Sequence, residues 1–342
     1  MDASHVARRV AGRALRTPQV QRLRQWLQPV DGPPSSAGGG EESLRIELSV
    51  VRSELEALQD LWDRRLPLLA PPTFDDLTEQ LDDVRSPPLD RLEVDESALS
   101  DDQRQWREQG YVLKRGLVPD HLLDAYWERR LRLDRPHGWS STAPYMHVPE
   151  VLHLAVHRPL LDVIDSLIGE PMAVSLNLTG VVSTERNWHQ DDYLNPPDVR
   201  GWYAAAWFAV GDIDPASGPF QFVPGSHRWP VLRRDRVRQF LTAEERNSPQ
   251  WPRYTERFLD EILEAEIARR QAPVETFLGE KGDVLIWHSR LVHRGSLASV
   301  PGTVRRSFIS HYTGVHHWPG SHEVGVTTSG GRYMKVDIPL DE

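Results

Sequence analysis

The chain has 342 residues, no cysteine, and 40 basic against 50 acidic residues, which gives a net charge of −10 at pH 7. The lack of cysteine excludes disulfide bridges, thiolate zinc sites, iron–sulfur clusters and cysteine nucleophiles, so a metal ion would need histidine and carboxylate ligands. The acidic balance argues against a nucleic-acid-binding protein, and no run of 18 apolar residues predicts a transmembrane helix. No apolar segment follows the N-terminal arginines, so we expect no secretory signal and a cytoplasmic protein.

The N-terminal quarter of the chain differs in composition from the rest. Residues 1–40 predict a basic tail, with six arginines in 1–30, followed by a Gly/Pro/Ser linker. The basic tail is typical of a free segment and allows peripheral contact with an anionic membrane surface. Residues 41–95 predict a helical extension, because apolar side chains recur at coiled-coil spacing over 44–62. This helix either forms a homodimer or packs on its own chain.

Residues 96–342 are predicted to form one domain, with helices before strands. Helical patterns occur at 101–109, 119–132 and 151–168. Short apolar runs between Gly, Pro and Asn turns predict strands at 111–113, 173–182, 202–210, 220–223, 284–287 and 306–312. A charged stretch at 233–270 predicts a helical insert. This order indicates an α+β chain with a β-sandwich or barrel core.

Candidate metal ligands lie in two distant segments. His189 and Asp191 are two residues apart, so on an extended segment their side chains share a face and can reach one ion. A second histidine follows the apolar strand that begins after Gly282, and either His293 or His288 can supply it. Two imidazoles and one carboxylate on one face of an octahedral ion leave three coordination positions open.

A candidate anion clamp follows. Arg305 and Ser307 share a face of the next strand, and a guanidinium with a nearby hydroxyl is a ready partner for a carboxylate. Arg306 is the alternative. Between the ligand segments, a hairpin carries a Gly-Pro pair and ends in Pro-Gly-Ser-His, where His227 is typical of a turn residue.

Four short motifs follow one another along the chain. They are Trp188-His-Gln-Asp191, Gly218-Pro219 with Val223-Pro-Gly-Ser-His227, Gly282-Asp with His293-Arg-Gly-Ser296, and Arg305-Arg-Ser307. Through these motifs, roughly residues 100–315 resemble the phytanoyl-CoA dioxygenase family of Fe(II)- and 2-oxoglutarate-dependent oxygenases.

The resemblance implies a fold and a set of ligands. The implied fold is a double-stranded β-helix, the jelly-roll or cupin-like core, flanked by helices. The resemblance implies that His189, Asp191 and His293 hold Fe(II), with 2-oxoglutarate and O2 as co-substrates. It also places the far carboxylate of 2-oxoglutarate on Arg305, with Ser307 as its helper. Because related halogenases lack the carboxylate ligand, its presence favours hydroxylation or another oxidation.

The expected substrate is a small molecule of a biosynthetic pathway. Two polar residues on the strand before the first ligand are candidate donors to the near end of 2-oxoglutarate, namely Asn177 and Thr184. Three aromatic residues are candidates for the substrate pocket or for the core, namely Tyr193, Trp202 and Trp207. The alternatives are a metal-dependent cupin-like isomerase or epimerase, and an interaction protein with a vestigial oxygenase barrel.

Overall fold

A computed structural model describes residues 72–80, 86–133, 135–183, 186–318 and 323–340. The chain divides into two compact units, Met1–Leu68 and Leu69–Glu342, and every described residue belongs to the second. The predicted tail, linker and coiled-coil segment 44–62 therefore lie outside the described residues. Within the described ranges, no helix has the length and apolar character needed to span a membrane.

The helices flank a sheet-rich core. They are α1 (Phe74–Leu77), α2 (Asp101–Gln109), α3 (Asp120–Leu131), α4 (Pro149–Ala155), α5 (Arg158–Ile168), α6 (Arg234–Gln239), α7 (Ala243–Asn247) and α8 (Trp251–Arg270). The start of α2 is fixed by a capping box between Ser100 and Gln103, and its end by Gly110 in the left-handed conformation at φ 76°. Local sequence signals thus define this helix at both ends, as the sequence predicted.

One predicted helix is two helices. The apolar pattern at 151–168 predicted a single element, but α4 ends at Ala155 and α5 begins at Arg158. Pro159 lies in the first turn of α5, where its missing N–H costs nothing. Inside a continuous helix the same residue would remove a hydrogen bond and clash with the preceding turn.

The strands form two main sheets. They are β1 (Thr78–Glu79), β2 (Tyr111–Lys114), β3 (Met172–Leu178), β4 (Arg186–His189), β5 (Tyr203–Ala209), β6 (Phe220–Phe222), β7 (Val231–Leu232), β8 (Glu275–Thr276), β9 (Val284–His288), β10 (His293–Gly295), β11 (Ser307–Gly314), β12 (Val324–Val326) and β13 (Arg332–Met334). A seven-stranded sheet has the order β12-β13-β3-β11-β5-β9-β2, and a four-stranded sheet has the order β4-β10-β6-β8. A separate pair joins β1 and β7.

The central strand β5 shows how the layers are built. Its alternate residues Ala204, Ala206 and Phe208 join a core shared with the helices α3 to α5. The intervening residues Ala205 and Trp207 join a second core, which also contains aromatic residues of the four-stranded sheet. Because strand side chains alternate between faces, one face of the large sheet is covered by helices and the other meets the small sheet. The architecture is a sheet-rich α+β fold with flanking helices.

The insert at 233–270 is helical, as predicted, and consists of α6, α7 and α8. It forms a third core that includes Trp188 and Val292, the residues directly before two candidate ligands. The carboxylate of Asp260 on α8 accepts a hydrogen bond from the Trp188 backbone N–H at 3.1 Å. The insert therefore supports the strands that carry the candidate metal ligands.

Candidate metal centre

The two small-sheet strands β4 and β10 bring the candidate ligands together. His189 at the end of β4 and His293 at the start of β10 are register partners. Asp191 follows β4, and its Oδ1 lies 3.7 Å from the Nε2 atom of each histidine. Since 3.7 Å exceeds a hydrogen bond, the carboxylate does not close on either imidazole. The ligand atoms of the three residues all lie within 4.8 Å of one another, which leaves an open cluster.

Backbone carbonyls fix the tautomer of both imidazoles. The Nδ1 atom of His189 lies 2.7 Å from Asn187 O, and that of His293 lies 2.8 Å from Leu291 O. A carbonyl only accepts, so each Nδ1 carries the proton and each Nε2 keeps its lone pair. Burial lowers the pKa of both histidines, which keeps them neutral, the form in which imidazole binds a metal.

The carboxylate of Asp191 is oriented from the large sheet. The indole Nε1 of Trp287 on β9 donates to Asp191 Oδ2 at 3.1 Å. The backbone N–H of Asp191 donates to Ser289 O at 2.7 Å. These two bonds hold the side chain with Oδ1 turned toward the histidines. In the sequence, Trp287 appears only as part of a predicted strand, so this role was not predicted.

The alternative ligand His288 lies in a different cluster. Its Nε2 donates to Asp90 at 3.0 Å, and its side chain is completely buried. Arg290 joins this cluster, with Nη1 at 3.4 Å from Asp90 Oδ2 and Nε at 3.1 Å from Asp192 Oδ2. The structure therefore brings His293, and not His288, to Asp191.

The predicted anion clamp is buried. Arg305 is 8% exposed, its Nη1 donates to Gly218 O at 2.7 Å, and its guanidinium lies 4.6 Å above the ring of Trp207. Burial lowers the pKa of Arg305 to about 10, so it remains a cation at neutral pH. Its Nε has no hydrogen-bond partner among the described residues. Ser307 is buried beside it, whereas Arg306 is exposed above Trp127.

The Gly-Pro motif has a steric role. Gly218 has φ 78°, and a Cβ at this position would lie 2.5 Å from the backbone oxygen of Ser296. Only glycine permits this close approach together with a left-handed conformation. In this conformation the Gly218 carbonyl oxygen accepts a hydrogen bond from the Arg305 guanidinium, so the Gly-Pro motif positions the clamp.

The Pro-Gly-Ser-His motif supports the second ligand strand. Gly225 adopts φ 77°, and the buried Ser226 Oγ accepts a hydrogen bond from the Val292 backbone N–H at 2.8 Å. Val292 directly precedes His293. His227, at the end of the motif, is buried with Nε2 3.1 Å from Arg107 O. The motif therefore braces the metal-ligand strand rather than supplying a ligand.

The predicted donors to the near end of 2-oxoglutarate are not brought to the triad. Asn177 donates to Ser310 Oγ at 3.0 Å and to Leu176 O at 3.1 Å. Ser310 pairs with Ala206, which faces the helices, so this side chain lies on the opposite face of the sheet from the metal ligands. Thr184 lies outside the described residues. The roles suggested for both remain predictions.

The three aromatic candidates have separate environments. Tyr193 contacts the insert, with its hydroxyl 3.4 Å from Thr255 Oγ1. Trp202 stacks on His317 at 4.0 Å and packs against the core on the helical side. Trp207 lies against the clamp, under the Arg305 guanidinium. A substrate-binding role for this set remains a prediction.

The structure adds one further histidine near the site. His311 on β11 is buried beside Trp287, with ring centroids 5.9 Å apart. The sequence held a signal for it, because residues 307, 309 and 311 alternate on one strand and therefore share the face of Ser307.

Fold and site together define a metal-binding protein with a ligand set of two histidines and one aspartate. The family model for phytanoyl-CoA dioxygenase (PhyH) matches residues 106–306, more than half of the 342 residues. The chain belongs to the phytanoyl-CoA dioxygenase family, which confirms the resemblance seen in its motifs.

Individual relatives are distant. A Caenorhabditis elegans protein named probable phytanoyl-CoA dioxygenase is 23% identical over 252 residues, which cover 63% of this chain and 76% of that protein. The crystal structure of EctD from S. alaskensis in its apoform has a TM-score of 0.50 at 17% identity and covers 70% of this chain and 84% of EctD. EctD with 2-oxoglutarate and 5-hydroxyectoine also gives 0.50, at 18% identity, covering 72% and 88%. At this identity the structural likeness shows a shared fold.

Proposed function

We propose that the protein is an Fe(II)- and 2-oxoglutarate-dependent oxygenase that hydroxylates, or otherwise oxidises, a small molecule, on a core of the jelly-roll type. The single observation that carries this proposal is the open triad with a buried, incompletely bonded guanidinium on the same side of the large sheet. EctD, which shares the fold, has been crystallised with 2-oxoglutarate.

The donor set of the triad fits ferrous iron. Two neutral imidazole nitrogens and one carboxylate oxygen on one side of an ion are the donor set of non-haem Fe(II) oxygenases. Asp191 Oδ1 has no hydrogen bond among the described contacts, and the Nε2 atom of each histidine lies 3.7 Å from it. The two Nε2 atoms and Asp191 Oδ1 are therefore buried and available to coordinate an ion.

The clamp fits the far carboxylate of a keto-acid. A buried cation with an unsatisfied N–H carries a desolvation penalty that an anionic acceptor relieves. Arg305 Nε is such a donor, and the buried Ser307 lies two residues further along the chain. A metal-dependent isomerase without a keto-acid would have no use for this donor.

The contributions of the chain are binding, orientation and the exclusion of water. Iron and 2-oxoglutarate supply the oxidising chemistry with O2 when bound, and the protein positions them. His189 and His293 remain neutral, Trp287 orients Asp191, and Arg305 receives a carboxylate. The apolar core between the sheets, which includes Phe220 and Leu285, keeps bulk water from the ligands.

The test is anaerobic reconstitution of the full chain with Fe(II), followed by addition of 2-oxoglutarate and then O2. We expect a visible iron–keto-acid charge-transfer band before O2 and slow succinate formation after it, even without substrate. A Zn(II)-loaded sample is the control and should give neither signal. Absence of both signals from the iron-loaded protein would contradict the proposal, and bound iron without succinate would favour the isomerase alternative.

A further inference from the structure

His311 is a buried histidine that the triad does not use. It is 7% exposed, and its Nε2 has no hydrogen-bond partner among the described residues. Its other nitrogen, Nδ1, lies 2.7 Å from the hydroxyl of Tyr203. An unpaired polar atom at this depth is uncommon and calls for an explanation.

The tyrosine determines which nitrogen carries the proton. Burial raises the pKa of Tyr203 far above its usual value, so the phenol keeps its proton, and among the described contacts Nδ1 of His311 is the one acceptor that this proton meets. Burial also lowers the pKa of His311 to about 4, so the ring is neutral at physiological pH. A neutral ring that accepts at Nδ1 must carry its hydrogen on Nε2. The unpaired atom is therefore an N–H donor.

The sheet register places this donor beside the metal ligands. His311 pairs with Ala205, and Ala205 pairs with Trp287, so the three residues form one row across the large sheet. Trp287 at the end of the row holds Asp191 at 3.1 Å. Because the residue between them is the small Ala205, the rings of His311 and Trp287 approach to 5.9 Å between centroids.

The clamp lies one row away. The Arg305 guanidinium lies above Trp207, two residues along β5 from Ala205, which corresponds to about 7 Å. An extended five-carbon diacid spans about 5 Å between its terminal carbons, from four C–C bonds of about 1.5 Å. A keto-acid held by its far carboxylate at Arg305 therefore reaches the row of His311 with its other end.

We propose that the Nε2–H of His311 donates a hydrogen bond to the carboxylate next to the keto group of 2-oxoglutarate, and that Tyr203 is the positioning residue that holds His311 in the donating tautomer. This proposal rests on the proposed function. It gives the near end of the keto-acid a donor on the face of the sheet that carries Arg305, whereas Asn177 lies on the opposite face.

The experiment is an anaerobic titration of the Fe(II)-loaded full chain with 2-oxoglutarate, followed by the visible charge-transfer band. His311→Phe keeps a ring of similar size and removes the donor, and we expect a Kd for 2-oxoglutarate about 10- to 100-fold higher. His311→Gln retains an N–H donor and should recover part of the affinity. His153→Phe, the same substitution at an exposed histidine, is the matched control and should stay within about twofold of the wild type.

A double-mutant cycle separates this role from a structural one. Tyr203→Phe should raise the Kd several-fold in the wild-type background and have no further effect in the His311→Phe background, because both residues act through one bond. The Fe(II) affinity of each variant, measured without keto-acid, should change by less than about threefold.

The outcomes distinguish the two proposals. If the wild-type protein binds iron but shows no charge-transfer band, the proposed function fails. If the wild type shows the band and His311→Phe titrates with the same Kd, only the role of His311 is overturned. If His311→Phe does not fold, Tyr203→Phe provides the test. A Kd for 2-oxoglutarate equal to that of the wild type would then overturn the proposed role of His311 and Tyr203.

Discussion

Two buried clusters of histidine and aspartate lie side by side in this protein, and they differ in how their charges are satisfied. In the cluster of Asp90, His288 and Arg290, the imidazole donates to the carboxylate at 3.0 Å. In the triad, each histidine Nε2 lies 3.7 Å from Asp191 Oδ1. All these side chains are almost fully buried. Burial of a histidine next to an aspartate therefore does not by itself indicate a metal site.

The two clusters differ in where the histidine protons lie and in whether a positively charged side chain neutralises the carboxylate. Although burial alone would raise the pKa of Asp90, His288 and Arg290 hold it well below its usual range, so the carboxylate is neutralised within the protein. In the triad, the Nδ1 protons bond to backbone carbonyls, and each Nε2 lies 3.7 Å from Asp191 Oδ1, beyond hydrogen-bond distance. The first cluster is closed, and the second requires a cation from outside.

The two clusters are joined. Arg290 bonds Asp90 on one side and Asp192, next to the metal ligand Asp191, on the other. The closed cluster therefore anchors the loop that carries the open one, and variants that damage one or the other should have different consequences.

The largest effect is expected at the open cluster. Asp191→Ala removes the only anionic ligand, and we expect no stoichiometric iron binding and no succinate formation. Metal content after desalting and succinate assays measure both. The exposed Asp198, changed to alanine, is the control and should leave both intact. Iron retained at the wild-type level by Asp191→Ala would show that the triad is not the metal site.

Damage to the closed cluster should instead lower the unfolding free energy of the protein. Asp90→Ala leaves His288 and Arg290 without their shared carboxylate, and removal of one partner from a buried ion pair costs about 3–5 kcal/mol of unfolding free energy. Urea unfolding of the metal-free protein measures this loss. Glu93→Ala, at an exposed neighbouring site, should change the value by less than about 0.5 kcal/mol. Equal stabilities would mean that the closed cluster does not stabilise the fold.

A third variant tests the clamp beside the open cluster. Arg305→Ala removes a charged donor to the keto-acid, and we expect the Kd for 2-oxoglutarate to rise up to about 100-fold while iron affinity changes little. Arg306→Ala, with an exposed side chain, should stay within about twofold. If Arg306→Ala weakens 2-oxoglutarate instead, the assignment is wrong by one residue.

The last prediction concerns pH, where the effect is spread over several pH units and is smallest per unit. Burial lowers the pKa of His227, which lies against His288, to about 3, so the folded protein excludes a proton that the unfolded chain binds below about pH 6.5. Unfolding free energy should therefore fall with decreasing pH between about 6.5 and 3, with roughly 1 kcal/mol per pH unit from this residue. His227→Gln should flatten the slope over this range by that amount, and His153→Gln, at an exposed site, should not.

Local signals in the sequence were sufficient for much of the fold. The capping residues of α2, the apolar runs of β5 and β9, and the charged pattern of the insert all lie within their own elements. The expectation that Arg305 and Ser307 share a face followed from strand alternation alone. The split between α4 and α5 was missed because the apolar pattern continues across Pro159, although the proline itself signals the break.

The sequence by itself determined the available chemistry: a chain without cysteine, with His189 and Asp191 on one face and a cationic strand beyond a second histidine. From the residues alone it left open whether His293 or His288 joins Asp191, and the family resemblance placed this ligand on His293. The choice depends on contacts such as that between Asp90 and His288, which are 198 positions apart in the chain. Only the tertiary structure shows it, because the sheet register and the turn after β9 decide which buried groups neutralise one another and which remain open to a ligand.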